Sequence, residues 1–359
     1  MDLTTETGKL DKLARSYLNS SQHRIRDHGS ITGLRPLLST DLFNTVLYVL
    51  SWALTSTGTL GVISNILVLT TYIKLGFSES INISYFALGI SDLGVSFTTI
   101  WGGISNLLVV TEARIPFNAL EISSPTVFWP AEGLEKTTTC ITAYIALEKC
   151  LCVLLPLHVK SFMNPRKTLF VVLTISFLIF GPSNFSFIVY KFQWSFDSVK
   201  NASILRTLEE TSPLHKAFQS FMLLYFSTII HYTALCVIWV CTIFLAVSLQ
   251  ETMKGRATKF GQDKSSALNI RNRRVIKTVF LIASAYLVFS TPRAVCNVIR
   301  IFEQEFHVRG IYFRTYMLII VACVQLSLFN SSTNVLIYIY MNTKFRNTLR
   351  NMICRSKSL

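Results

Sequence analysis

Apolar residues in this chain are gathered into long blocks separated by short polar stretches. The blocks run from Leu42 to Ile73, Ser80 to Thr111, Phe128 to Leu155, Thr168 to Tyr190, Ala217 to Gln250, Thr278 to Ile299, and Thr315 to Thr343. A helix needs about 20 residues to cross a hydrocarbon core, and every block is long enough. The pattern therefore predicts seven membrane-spanning helices, with the two ends of the chain on opposite sides. After the last block, Thr343 to Cys354 puts Phe345, Leu349 and Met352 on one helical face and Arg346 and Arg350 on the other, the pattern of an interfacial helix.

Composition agrees with a membrane setting. Hydrophobic residues make up 51% of the 359 and charged residues only 15%, far from a soluble average. The net charge of +15 is unevenly placed. Lys254, Arg256, Lys259, Lys264, Arg271, Arg273 and Arg274 crowd one loop and Lys344, Arg346, Arg350, Arg355 and Lys357 the tail, while the alternate loops are balanced. The positive-inside bias makes the basic segments cytoplasmic and the amino terminus extracellular. The charge is thus a topology signal and a means of binding anionic lipid of the bilayer; its spacing points to no nucleic acid. The expected architecture is an all-α membrane protein: an extracellular tail over 1–41, a seven-transmembrane helix bundle over 42–341, and a short cytoplasmic amphipathic helix and tail over 342–359.

The first 41 residues lack the apolar core of a cleavable signal, so the first span is expected to direct insertion. Asn19 and Asn201 begin glycosylation sequons on the outer side. The eight cysteines, at 140, 150, 152, 236, 241, 296, 323 and 354, avoid the outer loops, so no extracellular disulfide framework is expected. Cys354 in the tail is a candidate for palmitoylation.

Polar residues inside the spans carry the functional signal, because each is costly in hydrocarbon and must face protein or trapped water. Asn65 sits in the first span and Asp92 in the second. The third is the least lipid-like: Glu132, Glu135 and Lys136 lie toward one end and Glu148 and Lys149 toward the other. Glu132 and Lys149 are seventeen residues apart, about 25 Å along a helix, so one central helix links an outer polar cluster to an inner one. In the sixth span Arg293 follows Pro292, at a depth similar to the outer cluster, and the expectation is that it pairs with Glu135 or Glu132. Glu132, Glu135, Lys136, Arg293 and Asn297 are the candidate ligand pocket. His231, in a fifth span without proline, reads more readily as a satisfied core residue than as a ligand contact.

Several of these residues stand in a known order. Asn330-Ser-Ser-Thr-Asn334-Val-Leu-Ile-Tyr338, with Phe345 beyond, resembles the seventh-helix signature of rhodopsin-like G-protein-coupled receptors, with Val335 in place of proline. Glu148-Lys149-Cys150 with Pro156 is similar to the family's Asp/Glu-Arg-Tyr box, with Lys for Arg and Cys for Tyr. Tyr286 and Pro292 match its sixth-helix hinge, although Ser290 replaces the tryptophan. The chain thus resembles a divergent rhodopsin-like receptor, close in type to invertebrate chemosensory or peptide receptors. The resemblance implies a cell-surface receptor in the plasma membrane that binds an extracellular ligand and activates a heterotrimeric G protein, with arrestin a further candidate partner. It assigns Glu148, Lys149, Cys150, Pro156, Asn334 and Tyr338 to coupling and switching. Asp92, Thr138, Asn330 and Asn334 would form a sodium or water site, a bound sodium ion being the one cofactor implied. The family's usual outer disulfide would start near Ser124, and its loss leads one to expect no rigid lid over the pocket. Asn272 stands where some members keep an acid that holds the switch Arg, so no resting lock on Lys149 is expected. Ala131 and Leu328 occupy the positions of the amine counter-ion and the retinal lysine, which disfavours both ligands.

The rival is a transporter or ion channel whose path is lined by Asp92, Glu132, Glu135, Lys136 and Arg293. Internal repeats common in transporters are not seen, and the basic loop and tail suit a docking surface. Enzyme activity is not expected: no metal-spaced His or Cys cluster, nucleophile elbow or phosphate loop occurs.

Overall fold

The computed structural model describes residues 38–154, 164–197, 201–208, 213–257, 266–303, 305–306 and 310–356. Seven helices among them are long and apolar enough to cross a membrane. They are α1 (Thr40–Leu75), α2 (Ser80–Val110), α3 (Trp129–Leu154), α4 (Pro165–Ser183), α5 (His231–Ala257), α6 (Ser266–Phe302) and α7 (Phe313–Met341), followed by α8 (Thr343–Ser356). Asn19, Pro156 and the tail beyond Ser356 lie outside the described residues, as do the side chains of Asn272 and its basic neighbours.

The distribution of charge in the sequence explains which helix is central. In α3 and the turns leading into it 61% of the most apolar stretch is buried, against 22% for α4, so the span that carries both acids and bases at both of its ends is the one most enclosed by protein. The α4 rim instead turns Phe170, Phe177 and Leu178 outward, the composition a lipid-facing surface requires.

Small residues set the tightest approaches, as expected where lipid gives no hydrophobic drive between helices. On the α1–α2 seam, a Cβ on Gly103 would lie 2.5 Å from Thr55 Oγ1 and one on Gly61 2.5 Å from Ser96 Oγ. Between α3 and α4 the contact is harder to relieve: a Cβ on Gly133 would lie 2.6 Å from the Cβ of Ser183, an atom that no rotamer change can move away. Gly133→Ala is therefore expected to push α4 off α3 and cost about 1–3 kcal/mol, the usual penalty of overpacking. A melting temperature equal to wild type in detergent would show that the seam has slack.

At the far end of the bundle Tyr72, Tyr85, Tyr338 and Phe345 form an aromatic knot, with Tyr85 and Tyr338 ring centroids 4.8 Å apart and Tyr338 and Phe345 5.5 Å apart. Phe345 is fully buried, which seats the apolar face of α8 on the bundle and leaves Arg346 and Arg350 exposed.

Two features depart from the sequence expectation. The fold is not purely helical: β1 (Lys191–Asp197) and β2 (Ala202–Leu208) pair antiparallel as a hairpin between α4 and α5. Asn201 at its tip has φ 48, a left-handed conformation that Asn tolerates better than most side chains, and it is exposed. The hairpin is also tied down without a disulfide. Leu205 accepts from Asn118 N at 2.9 Å and donates to Pro116 O at 2.9 Å, and Thr207 N donates to Glu121 Oε2 at 3.1 Å. Ser124 Oγ and Trp129 Nε1 lie 3.3 and 3.1 Å from Tyr190 OH just ahead of β1. Ser124, near the position of the family's usual outer cysteine, thus contacts the start of the hairpin by hydrogen bonding.

Candidate functional site

Four ionic side chains meet in the half of the bundle beneath the hairpin. Three sit on one turn of α3, since Glu132, Glu135 and Lys136 are spaced i, i+3 and i+4 and so share a face. The fourth comes from α6. Arg293 donates through Nη1 to Glu135 Oε2 and through Nη2 to Glu132 Oε2. Lys136 Nζ lies 3.2 Å from Glu132 Oε1 and 3.8 Å from Glu135 Oε1. Two acids and two bases cancel, which is what allows the ring to exist with Glu132 5%, Lys136 0% and Arg293 8% exposed.

His231 joins this ring. Its Nδ1 is 3.3 Å from Lys136 Nζ, and its Nε2 is buried with no hydrogen-bond partner among the described residues. The sequence suggests a satisfied core residue; the structure keeps His231 buried but places it against the ring. It stands where a π-helical turn, Tyr225–Ile230, hands over to α5. Such a turn inserts an extra residue and rotates everything after it, so helical spacing alone could not place the ring. Asn297, by contrast, is half-buried one turn beyond Arg293 and makes no hydrogen bond to the ring.

Deeper in the bundle, Asp92 holds a second polar network. Asn334 Nδ2 donates to Asp92 Oδ2 at 2.8 Å and Thr138 Oγ1 to Asp92 Oδ1 at 3.0 Å. Ser331 Oγ lies 3.4 Å from the Asp92 carbonyl and 3.3 Å from Asn65 Nδ2, tying α1, α2, α3 and α7 together. Asn330 is buried nearby with its Oδ1 unpartnered, as are Asn334 Oδ1, Ser290 Oγ and Ser327 Oγ. Three of these four residues, Ser290, Ser327 and Asn330, line one cavity together with Asp92, Glu135 and Tyr286 among others. Its volume is about 20 Å³, enough for ordered water. The cavity touches a carboxylate of each network, Glu135 of the ring and Asp92 below it.

At the opposite end of α3, Lys149 Nζ pairs with Glu148 Oε1 at 2.7 Å, and both residues are buried. Cys150 donates to the carbonyl of Cys241 on α5 at 3.4 Å. Among the described residues Glu148 is the only acid paired with Lys149, and Glu148 Oε2 remains without a hydrogen bond.

These three polar levels along one enclosed helix sit in a chain whose residues 55–356 match the model of the serpentine type 7TM GPCR chemoreceptor Srw family. The chain belongs to that family. No curated protein matches it. The receptor is therefore a multi-pass membrane protein of chemosensory type, and the seven helices are its serpentine bundle. The family match spans all three levels, including the positions where Val335, Lys149 and Ser290 depart from the rhodopsin-like pattern. In the receptor Ser290 lines the cavity with its hydroxyl unpartnered, so the missing indole leaves polar space beside Tyr286, which is held by a 2.5 Å hydrogen bond to Thr139 Oγ1. Helix α6 continues through Pro292, a residue that cannot supply a backbone N–H to the turn before it. Cys354 is exposed near the end of α8.

Proposed function

We propose that the receptor binds an extracellular chemical ligand or peptide in the half of the bundle beneath the hairpin and activates a heterotrimeric G protein at the Lys149 end. In this reading the amino terminus is extracellular, the carboxy terminus is cytoplasmic, and the protein lies in the plasma membrane with arrestin as a second inner partner. One observation carries it: Arg293, the residue after the helix-breaking Pro292 of α6, is held by two carboxylates of the central helix α3. A ligand that competes for Glu132, Glu135 or Arg293 changes how the outer part of α6 sits on α3. Pro292 is then the pivot through which the inner half of α6 moves, and Tyr286 marks the contact with α3 just inside it. The energetic requirement is that the ligand bind one of the two arrangements more tightly than the other.

At the inner end, Glu148, Lys149 and Cys150 with Pro156 form the coupling face, and Asn334 and Tyr338 connect it to Asp92. Asp92, Thr138, Asn330 and Asn334 are the residues that would hold a sodium ion or water. The set fits a hard cation, since it offers a carboxylate and two unpartnered amide oxygens. A bound ion would supply positive charge that favours the resting arrangement. In that case sodium lowers agonist affinity of the wild type, and Asp92→Asn, having lost the charge, is expected to be insensitive to sodium. Equal sodium dependence in both proteins would remove the ion from this site.

The test of the whole reading is reconstitution in vesicles with a heterotrimeric G protein, followed by a screen for ligand-dependent nucleotide exchange, with ion flux measured in parallel. Ligand-dependent exchange without flux supports a receptor. Flux without exchange would make the charged column a permeation path instead.

A further inference from the structure

Cys296 of α6 and Cys323 of α7 face each other with their sulfur atoms 3.9 Å apart. Both are buried, 7% and 3% exposed, and neither takes part in the ionic ring or the Asp92 network. Cys150 and Cys241 are a second pair of buried neighbours, but there the Cys150 thiol donates to the Cys241 backbone carbonyl; Cys140 and Cys152 are half-buried, and Cys236 and Cys354 are exposed. A disulfide needs about 2.05 Å between sulfurs, so the pair is in contact but unbonded. Cys296 also lies three residues after Arg293 and therefore shares its helical face.

We propose that Cys296 and Cys323 are a modification site: a reversible disulfide that ties α6 to α7 when a peroxide reaches the bundle. The first thiol gives up its proton and its sulfur attacks one peroxide oxygen. The O–O bond breaks, leaving a sulfenic acid on the protein and, with that proton, one water. The sulfur of the second cysteine then attacks the sulfenic sulfur, the S–S bond forms, the S–O bond breaks, and the departing hydroxide leaves as a second water with the second thiol's proton. Two thiols and one hydrogen peroxide thus give one disulfide and two waters; the sulfurs lose two electrons and the peroxide gains them. The link sits one turn from Arg293 on the far side of Pro292, so it fixes the half of α6 that carries the ionic ring against α7. A dithiol reductant reverses it.

The experiment uses the full-length protein in detergent or nanodiscs, treated with hydrogen peroxide, alkylated with N-ethylmaleimide and digested without reductant for mass spectrometry. The expected product is a peptide joining Cys296 to Cys323, two hydrogens lighter than the sum of its parts and lost on dithiothreitol treatment. It is expected to be absent in C296S and in C323S and retained in C354S. Wild-type protein in which Cys236 or Cys354 is oxidised but no joined peptide forms would overturn the proposal. So would sulfinic acid accumulating on either cysteine without the link. Because the wild-type digest alone decides, a serine variant that fails to fold leaves the test intact.

Discussion

Arg293→Ala is expected to cost the receptor about 3–5 kcal/mol, the usual loss when one partner of a buried ion pair is removed. Glu132 and Glu135 would then share only Lys136, leaving one net negative charge where Glu132 and Lys136 are almost wholly screened from solvent. The penalty is that of an orphaned charge, which makes it separable from loss of packing. Arg293→Ala combined with Glu135→Gln restores neutrality and is expected to recover a large share of the stability, although the double variant also lacks the ligand contact. Arg293→Lys keeps the charge but gives up the planar fork that reaches both acids, so it should fall between wild type and alanine. Thermal unfolding of purified protein and surface expression in cells are the measurements. Unchanged stability and unchanged agonist potency in Arg293→Ala would remove the ring from the ligand site.

Lys149→Ala is expected to abolish agonist-dependent nucleotide exchange while leaving ligand affinity nearly unchanged. The separation along α3 is the reason: Lys149 lies about 25 Å from Glu132, too far for direct contact with a ligand in the ring. The buried Glu148 loses its only charged partner among the described residues, so some loss of stability is expected too. Glu148→Gln in the Lys149→Ala background separates the two effects, because it removes the orphaned charge without restoring coupling. A variant that folds, binds ligand and couples fully would sink the assignment of Glu148, Lys149 and Cys150 as the G-protein switch. The pairing of Lys149 with its neighbour bears on the resting state in the proposed reading. With Glu148 on the same helix as its partner, the described structure shows no ion pair from Lys149 to α6, and measurable basal exchange is the expected consequence.

Much of this receptor follows from its sequence, and the reason differs from element to element. The seven spans are legible because hydrocarbon leaves no alternative: about 20 apolar residues in a row have to form a helix that satisfies its own backbone. The centrality of α3 is legible because Glu132, Glu135, Lys136, Glu148 and Lys149 cannot face lipid. By the same logic Arg293, at matching depth, had to find an acid, and Asp92 had to find amides or hydroxyls. The strand Phe192-Gln-Trp194-Ser-Phe196 also carries a readable signal, since its aromatic residues alternate and all three are exposed on one face of β1. The signal is short and stands in a segment that the apolar blocks leave as a loop.

Tertiary structure alone decided which charges meet. Depth along a helix is set by counting residues, but rotation about its axis is set by contacts with neighbours. That is why Arg293 bridges two acids instead of choosing one, and why Asn297, one turn away, stays out of the ring. It is why His231 enters the site: the π-helical turn before it shifts the facing of α5 by a residue, a backbone event that no hydrophobic pattern records. The same holds for Cys296 and Cys323, twenty-seven residues apart in sequence, whose thiols touch only because α6 and α7 pack with those faces together. Apolar length fixes what crosses the membrane, whereas helix rotation, decided by close packing, fixes what the crossing helices can do to one another.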